Sequence, residues 1–234
     1  MIAHARAVVR PGVLAEVVSQ PPLTLRQIRA EAGTVGLCLV GTAAGPLDGD
    51  HLRLSVDVAA GATAQLVAAG ASIAQGGTSR MGIDVRVGAG ARLEADPGAL
   101  VVSAGACVHL ELSLALETAA ALTWREVVVL GRTGEPAGRA TLRWDVTRGG
   151  TALLRQHVDL ADPELAGWPG MTARCRVLLS ELRIDPDIDA RTVVHGETAV
   201  THRLADGATL TTVLAPSAAA AHHMLQPTGQ VRAW

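Results

Sequence analysis

The stretch LRLSVDVAAGATAQLVA (52–68) puts apolar side chains at every second position on either side of a small-Gly-Ala break. A period of two is the signature of a half-buried strand, because successive side chains leave opposite faces. The same alternation runs through GIDVRVG (82–88), CVHLELSLAL (107–116) and ATLRWDV (140–146). The breaks resemble one another too: VAAGATAQL (58–66), VGAGARLEA (87–95), SAGACVHLE (103–111) and LADGATLTT (204–212), with ETAAALTWR (117–125) a degenerate copy. Glycine permits the positive φ of a tight corner, and alanine keeps that corner thin. The first two corners stand 29 residues apart and the next follow at about half that distance, which is too irregular for a fixed-repeat solenoid.

These features predict a mainly-β fold: a layered or helical β-sheet scaffold of many short strands, in one domain over 1–234. Two segments depart from the strand pattern. DPELAGWPG (162–170) reads as a loop from its Pro and Gly content. PSAAAAHHMLQP (216–227) reads as a helix capped by Ser217 and bounded by Pro227, so one or two helices are expected near the C-terminus.

Composition narrows the functional classes. The chain has 234 residues, 49% apolar and 18% charged, with four Trp and no Tyr, Phe, Lys or Asn. Its core must therefore be built from Val, Leu and Ala. A net charge of −2, with no basic stripe and no aromatic stacking platform, argues against a nucleic-acid partner. Cys38, Cys107 and Cys175 are far apart in apolar surroundings, which points to buried thiols in a reducing compartment. The sequence has neither a leader pattern nor an apolar run of membrane-spanning length, so a cytoplasmic protein with no membrane partner is expected.

AGPLDGDHLRL (44–54) concentrates Asp48, Asp50 and His51 at one glycine-rich corner. Oxygen and nitrogen ligands for a divalent metal are one reading. A plain turn is the other, since Asp bonds its own backbone and Gly supplies the positive φ. No second cluster completes a ligand set, and the eight histidines are scattered. His195 and Glu197 would share a strand face, with His202 beyond them; this is a cluster without ligand spacing. There is no GxSxG, no P-loop and no dinucleotide fingerprint, so an enzyme is disfavoured. WREVVVLGRTGE (124–135) sets Glu126, Arg132 and Glu135 around an apolar strand, either as charged strand ends or as a charged rim for a partner or an ion path.

The order of these pieces resembles the UreD (UreH) family of urease accessory proteins. That family carries a G-P-L-x-G-D-x-L corner, a strand-GA-strand unit, an L-E-x-x-P segment and an E-x-x-x-x-G-R-x-x-x-G-E-like stretch. Here these are Gly45 to Leu52, Gly61–Ala62, Leu93 to Pro97, and Glu126, Gly131, Arg132 with Gly134–Glu135. The resemblance covers residues 35–135 well, then thins. LADGATLTTVLAPSAAAAHHML and the closing Arg232-Ala-Trp234 are similar to the family's C-terminal part. One departure is that the family's T-K-x-Y-R segment reads GASIAQGGTSRM here, without the Lys and Tyr.

The resemblance implies a non-catalytic mainly-β scaffold that binds the urease structural subunits as apoprotein. It further implies recruitment of a UreF-type accessory protein and a UreG-type GTPase. Nickel would be a cargo in transit, with no tightly bound cofactor and no resident metal. The positions it assigns to partner binding or the ion path are Asp50 and Glu126, with Glu94, Arg132 and Glu135 nearby in motif. Acidic corners without a Cys/His cage suit an ion that must be released. Two readings from other classes stand beside it. One is a non-catalytic β-rich ligand-binding or adhesion module; the other is a hydrolase using Asp50 with His51 or His109.

Overall fold

Each alternating run forms a strand, and the glycine-rich breaks turn the chain from one sheet into another. In the computed structural model residues 1–225 are described, apart from the surroundings of Pro163 and Gly167. The chain opens with β1 (Ile2–Arg10), β2 (Val13–Val18), β3 (Leu23–Ile28), β4 (Thr34–Gly41), β5 (His51–Val58) and β6 (Thr63–Ala68). It continues with β7 (Ser72–Ala74), β8 (Gly77–Val87), β9 (Arg92–Asp96), β10 (Ala99–Val102), β11 (Ala106–Leu116) and β12 (Ala121–Leu130). Then come β13 (Arg139–Arg148), β14 (Thr151–Asp159), α1 (Pro163–Gly167) and α2 (Pro169–Thr172). The last elements are β15 (Val177–Ile184), β16 (Val193–Val194), β17 (Ala199–Ala205), β18 (Ala208–Ala215) and α3 (Ala218–Leu225).

The strands form two sheets. The smaller has seven strands in the order β14-β13-β11-β8-β5-β1-β2. The larger has eleven, along the path β16-β17-β18-β15-β12-β9-β6-β4-β3 with β7 and β10 off it. Between β4 and β13 the chain winds from sheet to sheet, and its neighbours within each sheet are parallel.

The register there is fixed. Thr34, Thr63, Arg92 and Ala121 are successive partners in the larger sheet. His51, Arg80 and His109 are partners in the smaller one. Each step is 29 residues (34, 63, 92, 121 and 51, 80, 109). The expectation of an irregular spacing is thus corrected. Each coil has a corner leading into each sheet, and corners of the two kinds interleave at about half the true repeat. Gly61, Gly90 and Ala119 are equivalent corner positions, with φ of +68°, +64° and +63°. The Ala59, Gly88 and Glu117 carbonyls accept from the backbone N–H three residues on, closing turns of the kind that carries positive φ at the third residue.

Leu54, Val56, Ile83, Val85, Leu112 and Leu114 from the smaller sheet face Leu37, Leu66, Leu93 and Leu122 from the larger, all buried in one core. A second apolar cluster lies on the outer face of the larger sheet, where Val127, Leu179, Val213 and Ala199 are covered by α3 through Ala221. Ser217 caps α3 as expected, its Oγ accepting from Ala220 N–H at 3.2 Å; Pro227 and Arg232–Trp234 lie outside the described residues.

Two local readings are corrected. Residues 162–170 carry α1 and the start of α2, because Asp162 Oδ1 accepts from the Glu164 and Leu165 N–H groups and caps the first turn. His195 and Glu197 lie in the connection between β16 and β17 and share no strand.

Candidate functional site

The G-P-L-x-G-D corner closes a turn. Leu47 C=O accepts from Asp50 N–H at 3.0 Å, and Gly49 sits at φ +74° where a side chain would be strained. Asp48 Oδ1 accepts from Thr78 N–H at 2.7 Å, tying the corner to β8. Asp50 is buried and both its oxygens are committed. Oδ2 accepts from Leu47 N–H at 2.8 Å and Oδ1 lies 2.7 Å from the Met1 ammonium. Burial opposes its ionisation, but the Met1 ammonium and the Leu47 N–H outweigh it and hold the carboxyl below the usual range.

Glu126 lies in the middle of β12. Leu122, Trp124, Glu126, Val128 and Leu130 share one face of that strand, and all four apolar members belong to the inter-sheet core. Glu126 is 6% exposed, and its Oε1 accepts from the indole N–H of Trp144 on β13, in the opposite sheet, at 3.0 Å. Its Oε2 and the indole N–H of Trp124 have no partner among the described residues. Burial pushes the Glu126 carboxyl up to about 7, against a smaller downward pull from the Trp144 hydrogen bond. A carboxyl with one committed and one uncommitted oxygen in an apolar interior is expensive when charged, so it holds its proton to higher pH. Strand register places Ser180 of β15 opposite Glu126, and Thr212 of β18 opposite Ser180.

Arg132 and Glu135 sit in the turn after Gly131. Their side chains pair at 2.6 Å, Glu135 Oε2 accepts from Ala104 N–H at 3.4 Å, and the Arg132 guanidinium beside it holds the Glu135 carboxyl low. Arg176 pins this turn from β15's leading edge, its Nη1 donating to the Glu135 carbonyl at 2.6 Å. Glu94 is exposed on the outer face of the larger sheet, in register with Gln65 and Thr123. Beside it Arg125 pairs with Glu181 at 2.6 Å.

The five residues therefore occupy four places: a corner, the core, a loop and a solvent face. The reading of Glu126 as strand end or rim is corrected, whereas Arg132 and Glu135 do stand at a surface. Sequence reasoning missed Trp124 and Trp144 as the neighbours of Glu126. The alternation Trp124–Glu126–Val128 carried the signal for an inward carboxyl. Of the three thiols only Cys107 is buried; Cys38 and Cys175 are half-buried. Among the described residues no three His, Cys, Asp or Glu side chains gather as a metal cluster, and no helix is long and apolar enough to cross a membrane.

Fold and site define a β-scaffold with an inter-sheet carboxylate held by a tryptophan. The sequence matches the family described as UreD urease accessory protein over residues 3–233. It is 34% identical over 206 residues to the urease accessory protein UreD of Streptomyces avermitilis, covering 84% of this chain and 82% of that one. It is 31% identical over 239 residues to urease accessory protein UreD 2 of Saccharopolyspora erythraea, covering 95% and 84%. The chain belongs to the UreD family of urease accessory proteins, a family of non-catalytic chaperones with a role in urease maturation.

Proposed function

We propose that this chain is the scaffold on which nickel is inserted into urease. It binds the urease apoprotein and recruits a UreF-type accessory protein and a UreG-type GTPase, in the cytoplasm. The family match over residues 3–233 carries this reading. Nickel is cargo and passes without a tight site. Glu126 supports a transit role, because one uncommitted carboxylate oxygen inside the sandwich offers a single oxygen ligand that releases an ion more readily than a closed cage. Asp50, with both oxygens engaged, contributes by shaping its corner. Glu94 and the Arg132–Glu135 turn are exposed and serve partner contacts.

Co-expression with urease subunits and the two accessory proteins tests this. A complex containing the apoprotein and the GTPase is expected, and its absence in either order of assembly overturns the scaffold. Glu126→Gln should leave the complex intact while lowering nickel-dependent activation by roughly tenfold, the loss of about 1.4 kcal/mol. Unchanged activation removes Glu126 from the path.

A further inference from the structure

We propose that a pocket at the β12–β13 end of the sandwich takes an acidic side chain of a partner protein. The cavity measures about 390 Å³. Its apolar wall includes Leu130, Leu160 and Ala106, and Arg139, Arg174 and Arg176 also line it. No Asp or Glu lines the cavity, and among the described residues none of these three arginines forms an ion pair. Arg176 is held in place through Nη1, which donates to the Arg132 and Glu135 carbonyls without having its charge neutralised. The nearby acids are engaged elsewhere: Glu135 pairs with Arg132, and Asp159 and Asp162 accept from backbone N–H groups.

Arg174 enters the lining from an unfavourable backbone. Ala173 and Arg174 are consecutive left-handed residues, at φ +49° and +58°, a conformation that L side chains disfavour. Three cations on an apolar floor strengthen the field that an incoming anion meets. A bare inorganic anion would leave that floor uncovered, whereas a carboxylate on an aliphatic stem covers it. The segment that supplies Ala166 and Thr172 to the lining also exposes Leu165 and Trp168, the latter 62% accessible. Exposed large apolar residues beside a pocket fit a protein surface better than a small ligand. This inference goes beyond the maturation reading and is tested on the isolated chain, so its failure leaves that reading untouched.

Cys175 lines the same cavity and Cys38 lies on β4, both half-buried, so one thiol reports on the pocket and the other serves as reference. Iodoacetate and iodoacetamide attack the same thiolate but differ in charge, so their rate ratio cancels the thiolate fraction. At low salt the ratio at Cys175 should exceed that at Cys38 by roughly tenfold and shrink as salt is added. It should fall towards the Cys38 value in Arg139→Gln and in Arg174→Gln. The peptide acetyl-Leu-Asp-Leu-Glu-Leu-amide should protect Cys175 from iodoacetamide, and its Asn/Gln counterpart should not. Equal ratios at the two cysteines, or equal protection by both peptides, overturn the assignment. So does protection by inorganic phosphate as strong as that by the acidic peptide, which would mark a general anion pocket.

Discussion

The indole N–H of Trp144 reaches across from the smaller sheet and donates to Glu126 Oε1 of the larger at 3.0 Å, both side chains buried. This bond spans the two layers of the sandwich, and among the described residues the other Glu126 oxygen has no partner. Because the carboxyl is pushed up to about 7, the folded chain holds a proton that the unfolded chain releases near its ordinary value of 4.5. The folded state is then favoured below that ordinary value, and the advantage is lost as pH rises through the window from there to about 7. Denaturant titrations from pH 4.5 to 8 should show wild type losing up to about 3 kcal/mol relative to Glu126→Gln. A pH-independent difference between the two proteins removes the linkage.

Trp144→Phe keeps most of the packing and deletes the donor. Since that hydrogen bond lowers the Glu126 carboxyl, its loss moves the titration above about 7 and extends the unstable window upward. Leaving the carboxyl without the Trp144 donor costs about 1–3 kcal/mol at pH 8 and less at pH 5. Urea midpoints at the two pH values measure this. A larger loss at pH 5 than at pH 8 contradicts the direction.

Much of the architecture is legible because alternation and glycine corners act locally. The runs at 52–58, 107–116 and 140–146 fall within strands β5, β11 and β13, and the run at 82–88 lies in β8 up to Val87, with Gly88 opening the next corner. In the turn at 47–50 Gly49 supplies the positive φ as its chemistry assigns, but the local backbone bond is made by Asp50 to Leu47 N–H, while Asp48 reaches Thr78 on β8. The repeat is hidden because corners of two kinds look alike, and only pairing separates them. Glu126 was partly legible: its parity with Trp124 and Val128 outranks its charge as a guide to where it points. Trp144, 18 residues away in the other sheet, is set by how the layers pack, which no local pattern contains. The short α1 was hidden in a Pro/Gly-rich stretch because its cap, Asp162, acts through geometry that composition does not reveal.

Asp50 illustrates a structural role for a motif residue. Its Oδ2 closes the Leu47–Asp50 turn and its Oδ1 takes the Met1 ammonium. Asp50→Ala should cost about 1.5–3 kcal/mol at neutral pH, the range for hydrogen bonds to a charged group. The carboxyl is held below its ordinary 3.8, so its contribution is present above that value and lost as pH falls through the lower folded value. The wild-type advantage over the variant, followed by urea denaturation, should therefore be flat from about pH 5 to 7 and shrink in strong acid. An advantage that shrinks between about pH 5 and 7 instead contradicts this assignment.

The corner series supplies a test of the coil itself. Ala119 holds φ +63° where Gly61 and Gly90 stand in the two preceding coils. A side chain in that conformation costs roughly 1–2 kcal/mol, part of which glycine returns through its freer unfolded chain. Ala119→Gly should therefore stabilise the protein by about 0.5–1 kcal/mol. Gly90→Ala should destabilise it by a similar amount, since no atom lies within 4 Å of the added carbon and only the backbone is strained. Gly138→Ala separates the other cause. There the added carbon would meet Val102 O at 2.4 Å and Ser103 O at 2.6 Å, both fixed backbone atoms, with no positive φ involved. Overpacking of this kind costs typically 1–3 kcal/mol, so Gly138→Ala should exceed Gly90→Ala. Urea unfolding of the three variants beside wild type reads all three effects. If Ala119→Gly fails to stabilise while Gly90→Ala destabilises, the two corners are not energetically equivalent and backbone strain at Ala119 is not what sets its cost.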